Sequence, residues 1–412
     1  MEQRYNIVVI GGGAAGFFAA ITCKTHCPSA SVIILEKSDK LLAKVKISGG
    51  GRCNVTHACF SPAQLSKNYP RGEKQLKKAF AVFNATDTVK WFEGRGVELK
   101  TEADGRMFPV TDNSQTIINC LMREINKHDI AVELHQPVVA IIKEATRFKL
   151  KLREHTVYAD KVIIASGGSP KPEGFKWLEE LGHKIEQPVP SLFTFNMPDE
   201  AIKSLMGVSV NNVGVRVLGT KLSNEGPLLI THWGMSGPAI LKISAWGARI
   251  LNDLNYNFRI QVNWLGSLNE DNARTMLLAE TSVHPKRKIV NLETFQLPNR
   301  LYLFLLSKLG INPDTSLEEL GKKNQNRLLN TLLNDEYKVE GKTTFKEEFV
   351  TCGGVSLDCV NMDTMESKAC PGIYFAGEVL DIDGVTGGFN FQAAWTTGFI
   401  AGKSAAELHQ FA

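Results

Sequence analysis

Gly11, Gly13 and Gly16 stand in a G-x-G-x-x-G spacing, directly after the β-branched run 6–10 (NIVVI) and at the start of a small-residue stretch from 14 to about 24. The first glycine permits a tight turn, the second lets backbone approach a pyrophosphate, and the third lets a helix pack closely on a strand. A helix opening at Ala14 and Ala15 would aim unpaired N–H groups at phosphate oxygens. A second strand-like run, 31–35 (SVIIL), ends in Glu36, 20 residues past Gly16. An acidic side chain there can accept hydrogen bonds from both ribose hydroxyls and would repel a 2′-phosphate. The expected ligand is therefore an unphosphorylated ADP half, as in FAD or NAD.

The stretch that follows separates these two cofactors. A dehydrogenase builds its nicotinamide site from further strand–helix units, whereas 37–56 (KSDKLLAKVKISGGGRCNVT) reads as a basic, glycine-rich loop. Its backbone freedom at Gly49, Gly50 and Gly51 and its charges at Lys37, Lys44, Lys46 and Arg52 suit the pyrophosphate and isoalloxazine edge of an extended FAD. Ser48, Cys53 and Asn54 are expected to line the same cofactor.

Two later segments would close such a site. The run 161–165 (KVIIA) reads as a buried strand, ending in Ala165, Ser166 and Gly167, a turn similar to the A-T-G-G turn of two-dinucleotide-fold flavoproteins. Before it, 135–142 and 148–152 read as strands of a small meander, with Val138 at the position whose backbone would contact adenine. Near the C-terminus, strand 372–376 (GIYFA) is followed by Gly377 and Glu378, then by Gly388, Phe389 and Asn390, and by a helix from about 391 to 406. Many FAD enzymes place Gly-Asp after this strand, so Glu378 is expected to reach the ribityl or phosphate oxygens at longer range. The helix start would stabilise negative charge on reduced flavin, with Asn390 and Gln392 adding hydrogen bonds.

Other reactive types are sparse. His232, in THWGMSGP, is a candidate general acid or orienting group, since imidazole titrates near working pH. Arg52 and Arg106 could fix an acidic group, and Cys53 could be a reactive thiol. None of the eight cysteines forms C-x-x-C, which excludes a dithiol disulfide reductase and zinc-ribbon spacing. No G-x-S-x-G elbow supports a hydrolase. A second G-x-G-x-x-G is absent, so NAD(P)H is expected only as a transient electron donor. The basic run 284–288 (HPKRK) reads as a solvated face.

These residues need a sizeable scaffold. The chain has 412 residues, 43% apolar and 22% charged, with a net charge of +4. That fits two or three globular domains and gives no global signal for nucleic acid or membrane surface. Run 7–21 is too short to span a bilayer and belongs to the glycine motif rather than to a signal peptide. With reduced thiols, a cytoplasmic protein acting on a small-molecule substrate is expected, with no nucleic-acid or membrane partner.

The segments SGGGRCNVT (48–56), GRMFPV (105–110), THWGMSGPAIL (231–241), GGVSLDCVNMDTMESK (353–368) and GIYFAGEVLDIDGVTGGFNFQAAWTTGFIAG (372–402) occur in this order. Together they resemble the BaiN/YhiN-like family of NAD(P)/FAD-dependent oxidoreductases, some described as aminoacetone oxidases and others as bile-acid-reductase-like. His57 stands where that family has Asn, and Ser166 replaces Thr. The resemblance implies an α/β fold: a glutathione-reductase-like, Rossmann-type FAD domain carrying an inserted β-domain and a small helical module. The expected layout is 1–190 with 351–412 for the FAD domain, 191–265 with 335–350 for a β-barrel-like insert, and 266–334 for the helices. The implied activity is two-electron flavin chemistry: NAD(P)H-linked reduction of a small organic substrate, with amine oxidation by oxygen and a non-catalytic, RNA-modification accessory role as alternatives.

Overall fold

The computed structural model describes residues 3–344 and 350–407. The chain forms two compact units, 1–191 with 345–412, and 192–344. Residues 345–349 of the stretch 335–350 expected in the β-insert lie outside the described residues.

The first unit is built on a parallel sheet. Strands β1 (Gln3–Ile10), β2 (Val32–Leu35), β3 (Ala131–Glu133), β4 (Thr156–Ile164) and β5 (Ile373–Phe375) lie in the order β5-β4-β1-β2-β3. The apolar runs VVI, VIIL and VII are buried as continuous stretches, as expected for strands covered on both faces. The register aligns Ile10 with Leu35 and Ile164, and Ile164 with Phe375. Four motif-bearing segments therefore leave the sheet at one edge, where the strand order reverses about β1. Open α/β sheets bind ligands at such a switch point.

The unit also holds helices α1 (Ala14–His26), α2 (Ala43–Gly51), α3 (Glu73–Val82) and α4 (Phe389–Glu407). α1 and α4 cross closely through small residues. A Cβ on Gly398 would sit 2.7 Å from the Ala15 carbonyl oxygen, and one on Gly402 would sit 2.4 Å from that of Ala19. The meander also forms, with Ala140–Lys143 and Phe148–Lys151 pairing antiparallel beside β4. Strand Ile185–Ser191 pairs antiparallel with Val350–Val355, which starts the second half of this unit.

The second unit holds a seven-stranded antiparallel sheet in the order Asp335–Glu340, Asn257–Asn263, Ser209–Val217, Ser223–Ile230, Gly234–Ser236, Thr194–Asn196, Lys342–Thr343. The separate helical module expected over 266–334 is instead part of this unit. Helices Glu270–Val283, Asn299–Leu309 and Gly321–Leu333 put Leu277, Leu305 and Leu332 into the same core as Val215, Ile260 and Val339.

Candidate functional site

The turn after β1 shows why three glycines stand where they do. Gly11 has φ +112°, and a Cβ there would lie 2.3 Å from the Ala165 carbonyl oxygen. A Cβ on Gly16 would lie 2.0 Å from the Gly11 carbonyl oxygen, so helix and turn pack backbone to backbone. A Cβ on Gly13 meets nothing within 4 Å. The middle glycine is thus not needed for packing; it leaves clear space over the start of α1, whose first N–H groups have no intrahelical acceptor. Gly50 and Gly167 are equally clear.

Glu36 is oriented before any ligand arrives. Its Oε1 accepts from the Ser38 N–H at 2.9 Å and from the Ser38 hydroxyl at 2.8 Å, and its Oε2 accepts from the Gly12 N–H at 2.8 Å. Oε2 keeps a lone pair for a hydroxyl donor.

Segment 37–56 is more regular than the glycine content suggests. α2 begins at Ala43 and breaks at Ser48, Gly49 and Gly50, which leave helical geometry. Ser48 Oγ donates to the Val45 carbonyl. Lys37 is exposed. Lys44 Nζ lies 2.5 Å from Glu378 Oε2, and Glu378 Oε1 accepts from the Thr351 N–H at 2.8 Å. Glu378 therefore braces α2 against the segment after β5 and the Thr351 backbone. Arg52 is likewise paired. Its Nη1 lies 2.6 Å from Glu102 and 3.6 Å from Asp112, and its guanidinium lies 4.0 Å from the Phe108 ring centroid. Arg106 pairs with Glu102 and Asp104. Both arginines are thus paired with carboxylates of the 102–112 segment. Cys53 is fully buried, and burial pushes its thiol up to about 12, so it is not a reactive thiolate.

The start of α4 is shaped by residues from far away in the chain. Asn54, with its amide oriented to satisfy both neighbours, accepts from the Gly388 N–H and donates to the Thr56 carbonyl, each at 3.0 Å. A Cβ on Gly388 would lie 2.6 Å from the Thr56 carbonyl oxygen. His57 Nδ1 lies 3.0 Å from the Gly387 carbonyl, so this nitrogen carries the proton, and the ring stacks on Phe389 at 4.6 Å. Asn390 folds back onto Gly384, accepting from its N–H at 2.8 Å and donating to its carbonyl at 3.0 Å. Gln392 is buried and bonded to Thr56, Thr88 and Thr396. Both amides hold the loop in shape.

Segment 68–71 supplies a clamp that motif reading missed. The Asn68 carbonyl accepts from the Val385 N–H at 2.9 Å, and the Tyr69 hydroxyl donates to the Phe389 carbonyl at 2.7 Å. Arg71 forks onto Asp383, whose side chain is 0% exposed and also accepts from Ser191 Oγ at 2.6 Å. Burial raises the Asp383 carboxyl above its ordinary range, against the opposing pull of Arg71. The only sequence signal was an arginine far from any glycine motif.

Val138 precedes its strand, which begins at Ala140. It lies two residues past Gln136, whose N–H donates to the Glu36 carbonyl at 2.9 Å. His232 is exposed on the turn between Ser223–Ile230 and Gly234–Ser236 in the second unit, edge-on to Trp233 at 4.3 Å.

The residues present fit FAD: a clear glycine cradle at a helix start, an oriented carboxylate at the end of β2, and a second helix start at the same sheet edge. A family model described as the HI0933-like protein Rossmann domain matches residues 5–404. The chain is 32% identical, over 96% of its length and 96% of the relative's, to a ribosomal RNA dihydrouridine synthase of Escherichia coli K12. It is 27% identical, over 97% of its length and 99% of the relative's, to a 3-dehydro-bile acid delta(4,6)-reductase of Clostridium scindens. Among solved structures, a 3-ketosteroid-delta4-(5alpha)-dehydrogenase of Rhodococcus jostii RHA1 superposes with a TM-score of 0.52 at 13% identity, covering 98% of this chain and 97% of that one. That likeness is one of fold.

Proposed function

Because the chain belongs to the HI0933-like family, a family of FAD-dependent oxidoreductases, we propose that it reduces a carbon–carbon double bond conjugated to a carbonyl, with NAD(P)H as electron donor and a uridine of ribosomal RNA as substrate. The observation that carries this reading is the 32% identity along nearly the whole of both chains to a ribosomal RNA dihydrouridine synthase. The delta(4,6)-reductase supports the same bond chemistry on another molecule. In uracil that bond is C5=C6, conjugated to the C4 carbonyl. One hydride and one proton add across it, and NAD(P)H leaves as NAD(P)+.

Bound FAD supplies the two-electron transfer. The chain's own residues do the rest. The α1 start and Glu36 would hold the adenosine pyrophosphate half, and the α4 start would offer its positive end to developing negative charge. The expectation of a small-molecule substrate becomes the second reading, favoured by the bile-acid relative. Protein-free ribosomal RNA from cells lacking the gene, incubated with the protein and NADPH or NADH, should yield dihydrouridine on nucleoside mass spectrometry. No dihydrouridine with either donor, together with reduction of a steroid enone, would transfer the proposal to the small molecule. Flavin bleached anaerobically by aminoacetone but by neither nicotinamide would favour the oxidase.

A further inference from the structure

Several cations of the first unit near the glycine-rich segments are neutralised, while Lys37 and Lys46 are exposed. Lys44, Arg52, Arg71, Lys100 and Arg106 all face carboxylates. The segment 60–78 differs. Lys67, Lys74, Lys77 and Lys78 are exposed, and none has an ion pair among the described residues. Glu73 is the one acidic residue in that stretch. Lys74, Lys77 and Lys78 sit at helical positions i, i+3 and i+4, on one face of α3, within about 6 Å along its axis. The opposite face is sealed by Leu76, Ala79 and Phe80.

α3 is also fixed to the loop that shapes the start of α4. Gly72, just before it, lies against Ile382, with a built Cβ 3.0 Å from the Ile382 side chain. Arg71 and Tyr69 hold Asp383 and Phe389. Phe60, in the same segment, is 50% exposed. A row of unneutralised lysines on one helix face, with an exposed aromatic ring in the same segment, matches a single-stranded nucleic acid, which offers closely spaced phosphates and stacking faces.

We infer that the lysine face of α3, with Lys67 and Phe60, docks the sugar–phosphate backbone and an unstacked base of the RNA substrate beside the flavin site; this rests on the RNA reading above. The test compares the holoenzyme with K74Q/K77Q/K78Q, with Phe60→Ala, and with K286Q/K322Q/K323Q, which removes three exposed charges from the second unit. Binding to protein-free ribosomal RNA is measured across a salt series, alongside dihydrouridine formation and flavin reduction by NADPH. The α3 variant should bind about tenfold more weakly at 0.1 M salt, with the slope of log affinity against log salt shallower by about 2. FAD content and flavin reduction should stay unchanged. Phe60→Ala should weaken binding about fivefold without changing the slope. Wild-type binding by the α3 variant, or an equal loss in the second-unit control, would overturn the docking surface while dihydrouridine formation by the unaltered enzyme kept the RNA reading. An unaltered enzyme that neither binds nor converts the RNA would overturn both.

Discussion

At the start of α1 the turn is made by near neighbours in the chain: Gly11, Gly13 and Gly16 lie within six positions, and one of them meets another's carbonyl. At the start of α4 the glycines are just as close together, but their loop is held by Asn54, His57, Tyr69 and Arg71, more than 300 residues away in sequence. Both helix starts serve one sheet edge. The first is a local solution and should tolerate change elsewhere in the chain. The second depends on long-range polar contacts, buried or half-buried, and should fail when a distant partner is removed.

The largest effect expected from that difference is at Arg71. Arg71→Met leaves Asp383 buried without its partner, at a cost of about 3–5 kcal/mol. Its pH dependence has a definite sign. Burial already raises the folded carboxyl above the value near 3.9 expected for an unfolded chain, and loss of the cation raises it further. Such a group favours the fold only while protonated, so the variant's deficit should be small near pH 4 and grow as pH rises towards 7. Urea unfolding across that range measures it. At the local turn, Gly16→Val should cost about 3 kcal/mol by forcing a side chain into the Gly11 carbonyl. Gly13→Val should leave unfolding nearly unchanged yet lose bound flavin, since only ligand space is filled. Equal behaviour of the two variants would show that the glycines share one role. Glu36→Arg should weaken FAD retention by about tenfold or more, because it replaces an oriented acceptor with a cation; equilibrium dialysis would show this. Asn54→Ala should be mildest, about 1–2 kcal/mol, from the unsatisfied Gly388 N–H.

The same contrast explains what could be read from the sequence. Strands β1, β2, β4 and β5 and helices α1 and α4 were legible because their signals are contiguous: apolar runs, glycine spacing and small-residue helices. Arg52, Glu378, Asn390 and Gln392 were legible as polar residues near the site, yet their partners were not. Glu102, Lys44, Gly384 and Thr56 claim them through contacts that no local pattern encodes. The helical stretch 266–334 showed its periodicity but not where its apolar stripe would be buried. The Arg71–Asp383 pair was invisible because Arg71 belongs to no motif, and Asp383, inside the segment 372–402, carries no local sign of a partner 312 positions away.

The central claim is that two distant glycine-rich segments grip one FAD. The most direct measurement is the visible spectrum of the purified protein, with mass identification of whatever ligand is released on denaturation. The account predicts a yellow protein that releases FAD, one molecule per chain. A colourless protein that stays colourless after incubation with excess FAD and desalting would contradict it.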